Sequence, residues 1–349
     1  MDVSLFDFEL PEERIALRPV SPRDSARMMV VKAGGGIEHR CVSDLPNYLE
    51  KGDALVMNDT RVMPARLHGL RLRESGSAKI EILLHRRLGR SRFAVLARPA
   101  RKLVVGDELE FEGLSALVVA RGENGAAEIE FTLANMALDA ALAAQGEMPL
   151  PPYIAGKRKP DARDFDDYQT IYARNPGSAA APTAGLHFTS QLFSALEKKG
   201  VAREALTLHV GLSTFLPVTA NDTEHHRMHT ERAILTAETA VRLNKARHEG
   251  GRIVAIGTTT LRTLESAASP DGAIHALDGE TDIFITPGYQ FRVTDMLLTN
   301  FHLPRSTLFM LVSAFMGLDV MKRAYREAIA RSYRFFSYGD ACLLVRPRL

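Results

Sequence analysis

The feature that most constrains this fold is a change of pattern along the chain. Between residues 66 and 133, short segments with partly alternating apolar and polar residues are separated by glycine-containing turns, which is typical of a small antiparallel barrel or sandwich. The segments are Lys79–Leu84, Arg92–Arg98, Leu114–Ala120 and Ala127–Leu133. A short alanine-rich helix, Met136–Ala144, and a proline-rich link beginning at Met148 follow them.

From about residue 165 onward, strands alternate with helices, which predicts an α/β layer on a mostly parallel sheet. We expect strands at Ala205–Val210, Arg252–Thr258, Thr281–Ile285 and Cys342–Val345, and helices at Ser190–Lys199, Ala237–Glu249, Thr260–Ala268, Ser306–Met316 and Val320–Arg331. A further strand, Ala54–Met57, precedes the strand-only region. The predicted fold class is α/β: residues 1–60 and 151–349 form a discontinuous α/β domain, and residues 61–150 form an inserted antiparallel β-barrel-like domain.

Composition excludes several classes of protein. Hydrophobic residues make up 46% and charged residues 25% of the chain, which is typical of a globular protein in water. The most apolar stretch near the C-terminus, Leu308–Leu318, is too short for a membrane span, and the acidic N-terminal segment lacks the pattern of a signal peptide. Cys41 and Cys342 form neither a disulfide framework nor a CxxC pair. We therefore expect a cytoplasmic protein with no membrane contact.

The net charge of +2 conceals a segregation of charge. Residues 66–102 hold 11 Lys/Arg against 2 Asp/Glu, whereas residues 103–150 hold 1 against 9. Such segregation indicates either a face that binds a polyanion or the pairing of basic with acidic strands in one sheet. A second basic cluster, Lys157–Lys159, lies beside glycine and proline, where a solvated turn and a phosphate contact are both compatible with the sequence.

Several segments combine His, Tyr or Asp with Gly, Pro or Thr, which favours surface loops, where binding and catalysis concentrate. They are SAAAPTAGLHFT (Ser178–Thr189), LTLHVG (Leu206–Gly211), HHRMHTE (His225–Glu231), TNFHLP (Thr299–Pro304) and FFSYGDA (Phe335–Ala341). Taken singly, His187, His209 and His302 each suit a buried core histidine as well as a ligand contact. Tyr338 and Asp340 suit either a site wall or a turn that closes the final strand.

The run Gly257–Thr260 follows a predicted buried strand and opens a helix that carries Arg262. In open α/β sheets ligands bind at this position, and the amides and hydroxyls suit a carboxylate or a ribose. Ordinary capping of the helix by threonine is the alternative. The chain lacks both GxxxxGK[ST] and GxGxxG after a strand, so the usual nucleotide-binding loops are not predicted.

The string HRMHTE holds His226, His229 and Glu231. It lacks the HExxH spacing that places two metal ligands on one helical face, and no cysteine pair completes a site, so we predict no metal. An acid–base role for one histidine with the glutamate is compatible with the titration range of histidine, and a structural role is the alternative.

Together these strings resemble a known family, the S-adenosylmethionine:tRNA ribosyltransferase-isomerases of queuosine biosynthesis. The resemblance runs almost from end to end. It is carried by FDFELPEERIA (Phe6–Ala16), NDTRVMPARL (Asn58–Leu67), MPLPPYI (Met148–Ile154), YQTIYA (Tyr168–Ala173), AAPTAGLHFT (Ala180–Thr189), GTTTLRTLES (Gly257–Ser266), PGYQFRVTD (Pro287–Asp295) and YRFFSYGDA (Tyr333–Ala341). One departure is HVGLSTF, where the family usually has HVGAGTF, so Ser213 replaces a glycine and places the ligand contact of this loop in question.

The resemblance implies a reaction. The ribosyl moiety of S-adenosylmethionine is transferred to 7-aminomethyl-7-deazaguanine at the wobble position of a tRNA and isomerised, which gives epoxyqueuosine-tRNA and releases adenine and methionine. S-adenosylmethionine is then a consumed cosubstrate, and no bound cofactor is expected. The implied partners are this tRNA and S-adenosylmethionine, and we expect a monomer.

On this reading we expect three groups of site residues. His187 or His229 serves in acid–base catalysis, with Glu231 orienting a histidine. The expected substrate-binding residues are Thr183, His209, His226, Thr258, Thr259, Arg262, Asn300, His302, Tyr338 and Asp340. The expected tRNA contacts are Arg86, Arg87, Arg90, Arg92, Lys157, Arg158 and Lys159, with Tyr168 and Tyr289 as candidates for stacking on the base.

Two other functions remain open at the level of sequence. An S-adenosylmethionine-dependent RNA methyltransferase would produce S-adenosylhomocysteine instead of adenine and methionine. A non-catalytic tRNA-binding module would use the same loops only to hold RNA, so substitutions at His229 or Glu231 would change tRNA affinity and any activity by the same factor.

Overall fold

A computed structural model describes residues 1–74, 76–99, 103–123, 125–211, 220–226, 228 and 230–347. The strands are β1 (Arg27–Val31), β2 (Ile37–Cys41), β3 (Ala54–Asn58), β4 (Thr60–Val62), β5 (Arg66–Arg73), β6 (Gly76–Arg87), β7 (Arg92–Arg98), β8 (Glu108–Phe111), β9 (Leu114–Arg121), β10 (Ala126–Phe131), β11 (Asn175–Ser178), β12 (Ala202–His209), β13 (Glu231–Leu235), β14 (Ile253–Ile256), β15 (Leu277–Thr281), β16 (Met296–Asn300) and β17 (Ala341–Val345). The helices are α1 (Asn135–Gln145), α2 (Pro152–Ala155), α3 (Asp164–Asp167), α4 (Ser190–Lys198), α5 (Ala237–His248), α6 (Thr258–Ser266), α7 (Thr307–Met316) and α8 (Leu318–Ala330).

The large sheet has the strand order β15-β13-β12-β3-β14-β16-β17-β1-β2. The four central strands β12, β3, β14 and β16 are mutually parallel, and the edges of the sheet are antiparallel apart from the pair β17 and β1. β3 is buried at every position and apolar up to its last residue, Asn58, as is typical of strands that are covered on both faces. The predicted α/β class is confirmed.

Separate apolar cores cover the two faces of this sheet. One face packs against α5, α6, α7 and α8, with Leu243, Leu261, Val312 and Tyr325 fully buried. The other face packs against α4 and the 3-10 helix Val42–Tyr48. Helices on both faces are what strands alternating with helices produce, because each crossover returns over the sheet.

The predicted barrel is a closed six-stranded barrel in the order β10-β7-β6-β5-β8-β9, with its own buried core that includes Ile82, Phe93 and Ile129. Its strands all lie within residues 61–150, the range assigned to the insertion. The basic strands β5, β6 and β7 are adjacent, and the acidic strands β8 and β10 flank them on either side, with β9 closing the barrel between β8 and β10. At the junctions, Arg92 pairs with Glu128 and Arg73 with Asp107, so basic and acidic strands do pair.

One predicted strand, Thr281–Ile285, is wrong in position. The strand that forms, β15, ends at Thr281, which lies opposite Glu231 in an antiparallel pairing with β13. The Thr281 hydroxyl then accepts a hydrogen bond from the amide of Ile283, which turns the chain. The apolar residues after Thr281 pack into the core instead, with Ile285 buried.

Within the described part of the chain, none of the helices is both long enough and apolar enough to cross a bilayer.

Candidate active site

The carboxyl ends of the four central parallel strands meet at one edge of the sheet. Asn58 ends β3, His209 ends β12, Gly257 follows β14 and Asn300 ends β16. Parallel strands place their carboxyl ends side by side, and this edge is where open α/β sheets bind ligands. The pairing of β16 with the antiparallel strand β17 brings the turn before Ala341 to the same edge.

A cavity of about 230 Å³ lies at this edge. Its polar lining comes from several of the segments singled out in the sequence. The lining residues are Ala180, Ala181, Pro182, Thr183, Ala184, Val210, Gly257, Thr258, Thr259, Thr299, Asn300, Phe301, His302, Leu303, Pro304, Ser306, Thr307, Leu308, Phe336 and Ser337. Five of the predicted substrate-binding residues therefore surround one space: Thr183, Thr258, Thr259, Asn300 and His302.

Thr258 and Thr259 occupy the first turn of α6. Gly257, the residue before the helix, has a φ of 91°, a left-handed conformation that glycine adopts without a steric penalty. No side chain caps this helix end, so its first amides are not satisfied by a capping hydroxyl. Threonine hydroxyls and helix amides thus face the same cavity, as expected for binding an anionic or hydroxyl-rich group.

Asn300 connects the cavity to His187 behind its wall. The Thr183 hydroxyl donates to Asn300 Oδ1 over 2.9 Å, and Asn300 Nδ2 donates to His187 Nε2 over 3.3 Å. Burial lowers the pKa of His187 to about 4, so its ring is neutral at pH 7. His187 does not line the cavity, and the geometry therefore places it as a positioning residue that acts through Asn300 and Thr183.

His302 lies in the cavity wall itself. Its Nε2 is 3.1 Å from the Thr299 hydroxyl, and its backbone amide donates to the Tyr325 hydroxyl over 3.0 Å. Burial lowers the pKa of His302 to about 3. A neutral imidazole here can exchange hydrogen bonds with a ligand, but it is a weak base.

His209 is held by a network that begins at Asn58. Asn58 Oδ1 accepts from the amides of Thr60 and Leu208, and the Thr60 hydroxyl lies 2.9 Å from His209 Nδ1. Burial lowers the pKa of His209. Sequence reasoning did not assign Asn58 to the site; the signal that was present is its place directly after a buried strand, in the string NDTR.

Glu231 and Arg262 form a buried ion pair. Arg262 Nη1 donates to Glu231 Oε2 over 2.5 Å, and Glu231 Oε1 accepts from the amide of Gly211 over 3.2 Å. Both residues are 5% exposed. Arg262 Nη2 is buried and has no hydrogen-bond partner among the described residues. Arg262 lies one helical turn beyond Thr258 and Thr259 but does not line the cavity; its guanidinium is directed at Glu231 and the Ile283 carbonyl.

Tyr338 and Asp340 do not line the cavity; Phe336 and Ser337 of the same turn do. Asp340 is 2% exposed and accepts hydrogen bonds from the Arg27 guanidinium, the Arg27 amide and the Arg334 amide. Tyr338 is buried with its ring 6.0 Å from that of Tyr168. Asp340 stabilises the turn through these hydrogen bonds. Tyr338 packs within the protein, but its buried hydroxyl has no hydrogen-bond partner among the described residues.

Other predicted residues lie away from the cavity or outside the described residues. The ring of His226 lies 5.2 Å from that of Phe284. His229 and Ser213 lie outside the described residues. Among the described residues, no three His, Cys, Asp or Glu side chains form a group suited to a metal ion.

The predicted tRNA-contacting residues differ in their availability. Arg158 is committed to Asp164, which it contacts through two hydrogen bonds of 2.8 and 2.6 Å. Arg92 pairs with Glu128, Arg87 with Asp139, Arg86 with Glu280 and Lys157 with Glu12. Arg90 and Lys159 have exposed side chains. Arg90 and Lys159, together with the half-exposed Arg86, are therefore accessible to the phosphates of a tRNA.

An open α/β sheet whose strand ends surround a largely apolar cavity with a few polar groups, joined to a small barrel with a basic half, has the architecture of a ligand-binding α/β enzyme. A family model described as "Queuosine biosynthesis protein" matches residues 3–344, and the chain belongs to this family.

Named relatives also resemble this chain over almost its full length. The chain is 58% identical over 346 residues, 99% of either chain, to the S-adenosylmethionine:tRNA ribosyltransferase-isomerase of Parvibaculum lavamentivorans. It is 59% identical to that of Methylobacterium radiotolerans, over 99% of this chain and 98% of the relative. It is also similar to the crystal structure of an S-adenosylmethionine tRNA ribosyltransferase from Thermotoga maritima, with a TM-score of 0.56 and 40% identity, covering 98% of this chain and all of that one.

Proposed function

We propose that this chain is an enzyme that transfers the ribosyl moiety of S-adenosylmethionine to 7-aminomethyl-7-deazaguanine at the tRNA wobble position and isomerises it. The products are epoxyqueuosine-tRNA, adenine and methionine. The observation that carries the proposal is the cavity at the carboxyl edge of the sheet, in a chain that shares 58% of its residues with enzymes of that name. S-adenosylmethionine is consumed, and we propose no resident cofactor.

The chemistry asks for positioned hydrogen-bonding groups and a proton carrier. The sulfonium acidifies the C5′ protons; removal of one gives an ylide that expels adenine, the tRNA amine attacks the ribosyl group, and an alkoxide finally displaces methionine to close the epoxide. Every leaving group is supplied by S-adenosylmethionine. The protein must therefore orient the cosubstrate, exclude water and move protons.

Different residues are suited to binding the cosubstrate, positioning it and transferring protons. Thr258 and Thr259 line the cavity and suit the methionine carboxylate or the ribose hydroxyls. The buried Nη2 of Arg262, one helical turn away, lacks a hydrogen-bond partner among the described residues, and we propose that it contributes a further donor. Thr183 is held by Asn300, which is held in turn by His187. Since His187 is buried and neutral behind this wall, we keep His229 as the proposed acid–base residue.

For tRNA recognition we propose the exposed cations Arg90 and Lys159, together with Arg86, as phosphate contacts. The pairing of Arg158 with Asp164 favours a structural role for that arginine instead. We also propose a cytoplasmic location and a monomeric state; every residue that lines the cavity belongs to a single chain.

One incubation tests the function. Purified protein is mixed with S-adenosylmethionine labelled in its adenine and methionine parts and with an anticodon stem-loop carrying the aminomethyl base. We expect adenine and methionine in equal amounts, together with a nucleoside whose mass corresponds to the epoxide. S-adenosylhomocysteine among the products would indicate a methyltransferase and contradict the proposal. A His229→Gln variant should bind S-adenosylmethionine and release no adenine.

A further inference from the structure

The cavity wall contains an aromatic residue in an uncommon backbone conformation. Phe336 has a φ of 73°, in the left-handed region that bulky side chains rarely occupy. It lies in the turn between α8 and β17, and its side chain lines the cavity. Residues in such conformations persist only where their surroundings hold them, and they concentrate at functional sites.

The turn around Phe336 is fixed from several sides. The Phe336 amide donates to the Phe301 carbonyl over 3.0 Å, and the Phe336 carbonyl accepts from the Gly339 amide over 2.9 Å. Next to it, the Ser337 amide donates to the Tyr153 hydroxyl over 3.0 Å. Asp340, with its bond from the Arg334 amide, closes the turn. The backbone at Phe336 is therefore held in this conformation by bonds within the protein.

One side of the Phe336 ring is covered by protein. The ring of Tyr153 lies 4.3 Å away at an interplanar angle of 62°, an edge-to-face contact. Phe336 is nevertheless only partly buried, and its uncovered part contributes to the cavity. Leu303 and Leu308 line the same cavity, whereas its threonines and Asn300 provide the polar lining. The cavity thus offers an apolar, aromatic surface and a separate set of hydrogen-bonding groups.

We infer that Phe336 is the surface on which the adenine of S-adenosylmethionine stacks, and that it determines the affinity for this cosubstrate. The inference rests on the proposed function. Adenine is the planar part of S-adenosylmethionine, while the ribose and the methionine part require hydrogen-bonding partners. No described residue that lines the cavity is lysine or arginine, so the lining suits a small cosubstrate better than a nucleotide joined to a phosphate backbone.

The experiment compares Phe336→Leu, Phe336→Gly and Phe336→Tyr with the unchanged protein. Stacking of a base on an aromatic ring changes affinity by about 5- to 100-fold. We expect the KM for S-adenosylmethionine to rise about tenfold in Phe336→Leu and more in Phe336→Gly, with the KM for the tRNA stem-loop unchanged. Phe336→Tyr keeps a ring of the same plane and should stay within about twofold of the unchanged protein.

Product inhibition separates stacking from general damage to the site. Adenine should inhibit the Leu and Gly variants about tenfold less strongly, whereas inhibition by methionine should not change. Phe336→Gly also tests folding, since glycine adopts a positive φ freely, so its thermal unfolding should lie within about 3 °C of the unchanged protein.

The outcomes are distinguishable. If the unchanged protein releases no adenine from S-adenosylmethionine, the proposed function fails. If it releases adenine but the Leu and Gly variants keep the original KM for S-adenosylmethionine, the inference fails. A rise in the KM for the stem-loop alone would assign Phe336 to the tRNA base and would also overturn it.

Discussion

Removing the charge of Glu231 should destabilise the protein strongly, and removing the charge of its partner as well should restore most of the stability. Glu231 and Arg262 are each 5% exposed and 2.5 Å apart. Breaking a buried ion pair by neutralising one partner costs about 3–5 kcal/mol, because the other charge stays buried without compensation. Glu231→Gln keeps an oxygen for the Gly211 amide but turns its NH2 group toward Arg262 Nη1, so its effect combines the lost charge with the lost hydrogen bond.

The double variant Glu231→Gln with Arg262→Met removes both charges and retains the bond to Gly211. It loses the bond from Arg262 Nε to the Ile283 carbonyl, which contributes about 1 kcal/mol. We therefore expect it to unfold about 1–2 kcal/mol more easily than the unchanged protein, and less easily than either single variant. Urea-induced unfolding at pH 7 measures all four proteins in one double-mutant cycle.

The same variants separate stability from binding. If Arg262 donates to the methionine part, both variants that lack Arg262 should show a KM for S-adenosylmethionine at least about tenfold higher, including the double variant that has regained stability. Arg232 and Asp278 provide the matched control, because their side chains are 47% and 70% exposed, and Arg232→Met should cost less than about 1 kcal/mol. A double variant as unstable as the single ones would refute the electrostatic reasoning, and an unchanged KM would refute the binding role.

Other substitutions follow from the same geometry. Burial lowers the pKa of His302 from about 6.5 in the unfolded chain to about 3 in the folded protein, so only the unfolded chain binds a proton here between these pH values. As the pH falls from 6.5 to 3, His302 should therefore lower the free energy of unfolding by about 1.4 kcal/mol per pH unit. In urea titrations, His302→Gln should remove this contribution to the pH dependence. Arg90→Ala should weaken tRNA binding and reduce the salt dependence of log Kd by about one contact, with unchanged thermal unfolding, whereas Arg158→Ala should lower the unfolding temperature. Asn300→Leu removes both the oxygen that accepts from Thr183 and the amide that donates to His187, so it should release Thr183 and reduce kcat/KM about tenfold; an unchanged value would contradict the positioning role.

Much of the fold follows from local pattern. The helix at Ala237–His248 has Thr236 as its N-cap, and the helix at Ser190–Lys198 has Thr189, whose hydroxyl accepts from the Leu192 amide. These signals lie within one or two turns of chain, so the sequence predicts them. The strand expected at Thr281–Ile285 was misplaced because its partner, β13, is some 50 residues away in sequence, and only that pairing decides where β15 ends.

In the candidate site, too, local sequence identified some of the residues, whereas the roles of others depend on distant contacts. Glycine, threonine and histidine at the ends of apolar runs identified Thr183, Thr258, Asn300 and His302, which line one cavity. Nothing in the local sequence separates these from His187 or Asp340, which have the same kinds of neighbours. Their roles depend on partners more than 100 residues away, Asn300 in one case and Arg27 in the other.

The sequence by itself determined most of the longer helices, several of the strands and the loops that hold chemically useful side chains, since periodicity and turn residues are local properties. Only the tertiary structure decided that β12, β3, β14 and β16 lie side by side with their carboxyl ends together. It also decided that one histidine faces the cavity while another supports it from behind. The physical reason is that strand order and burial arise from contacts between distant parts of the chain, which no local pattern encodes.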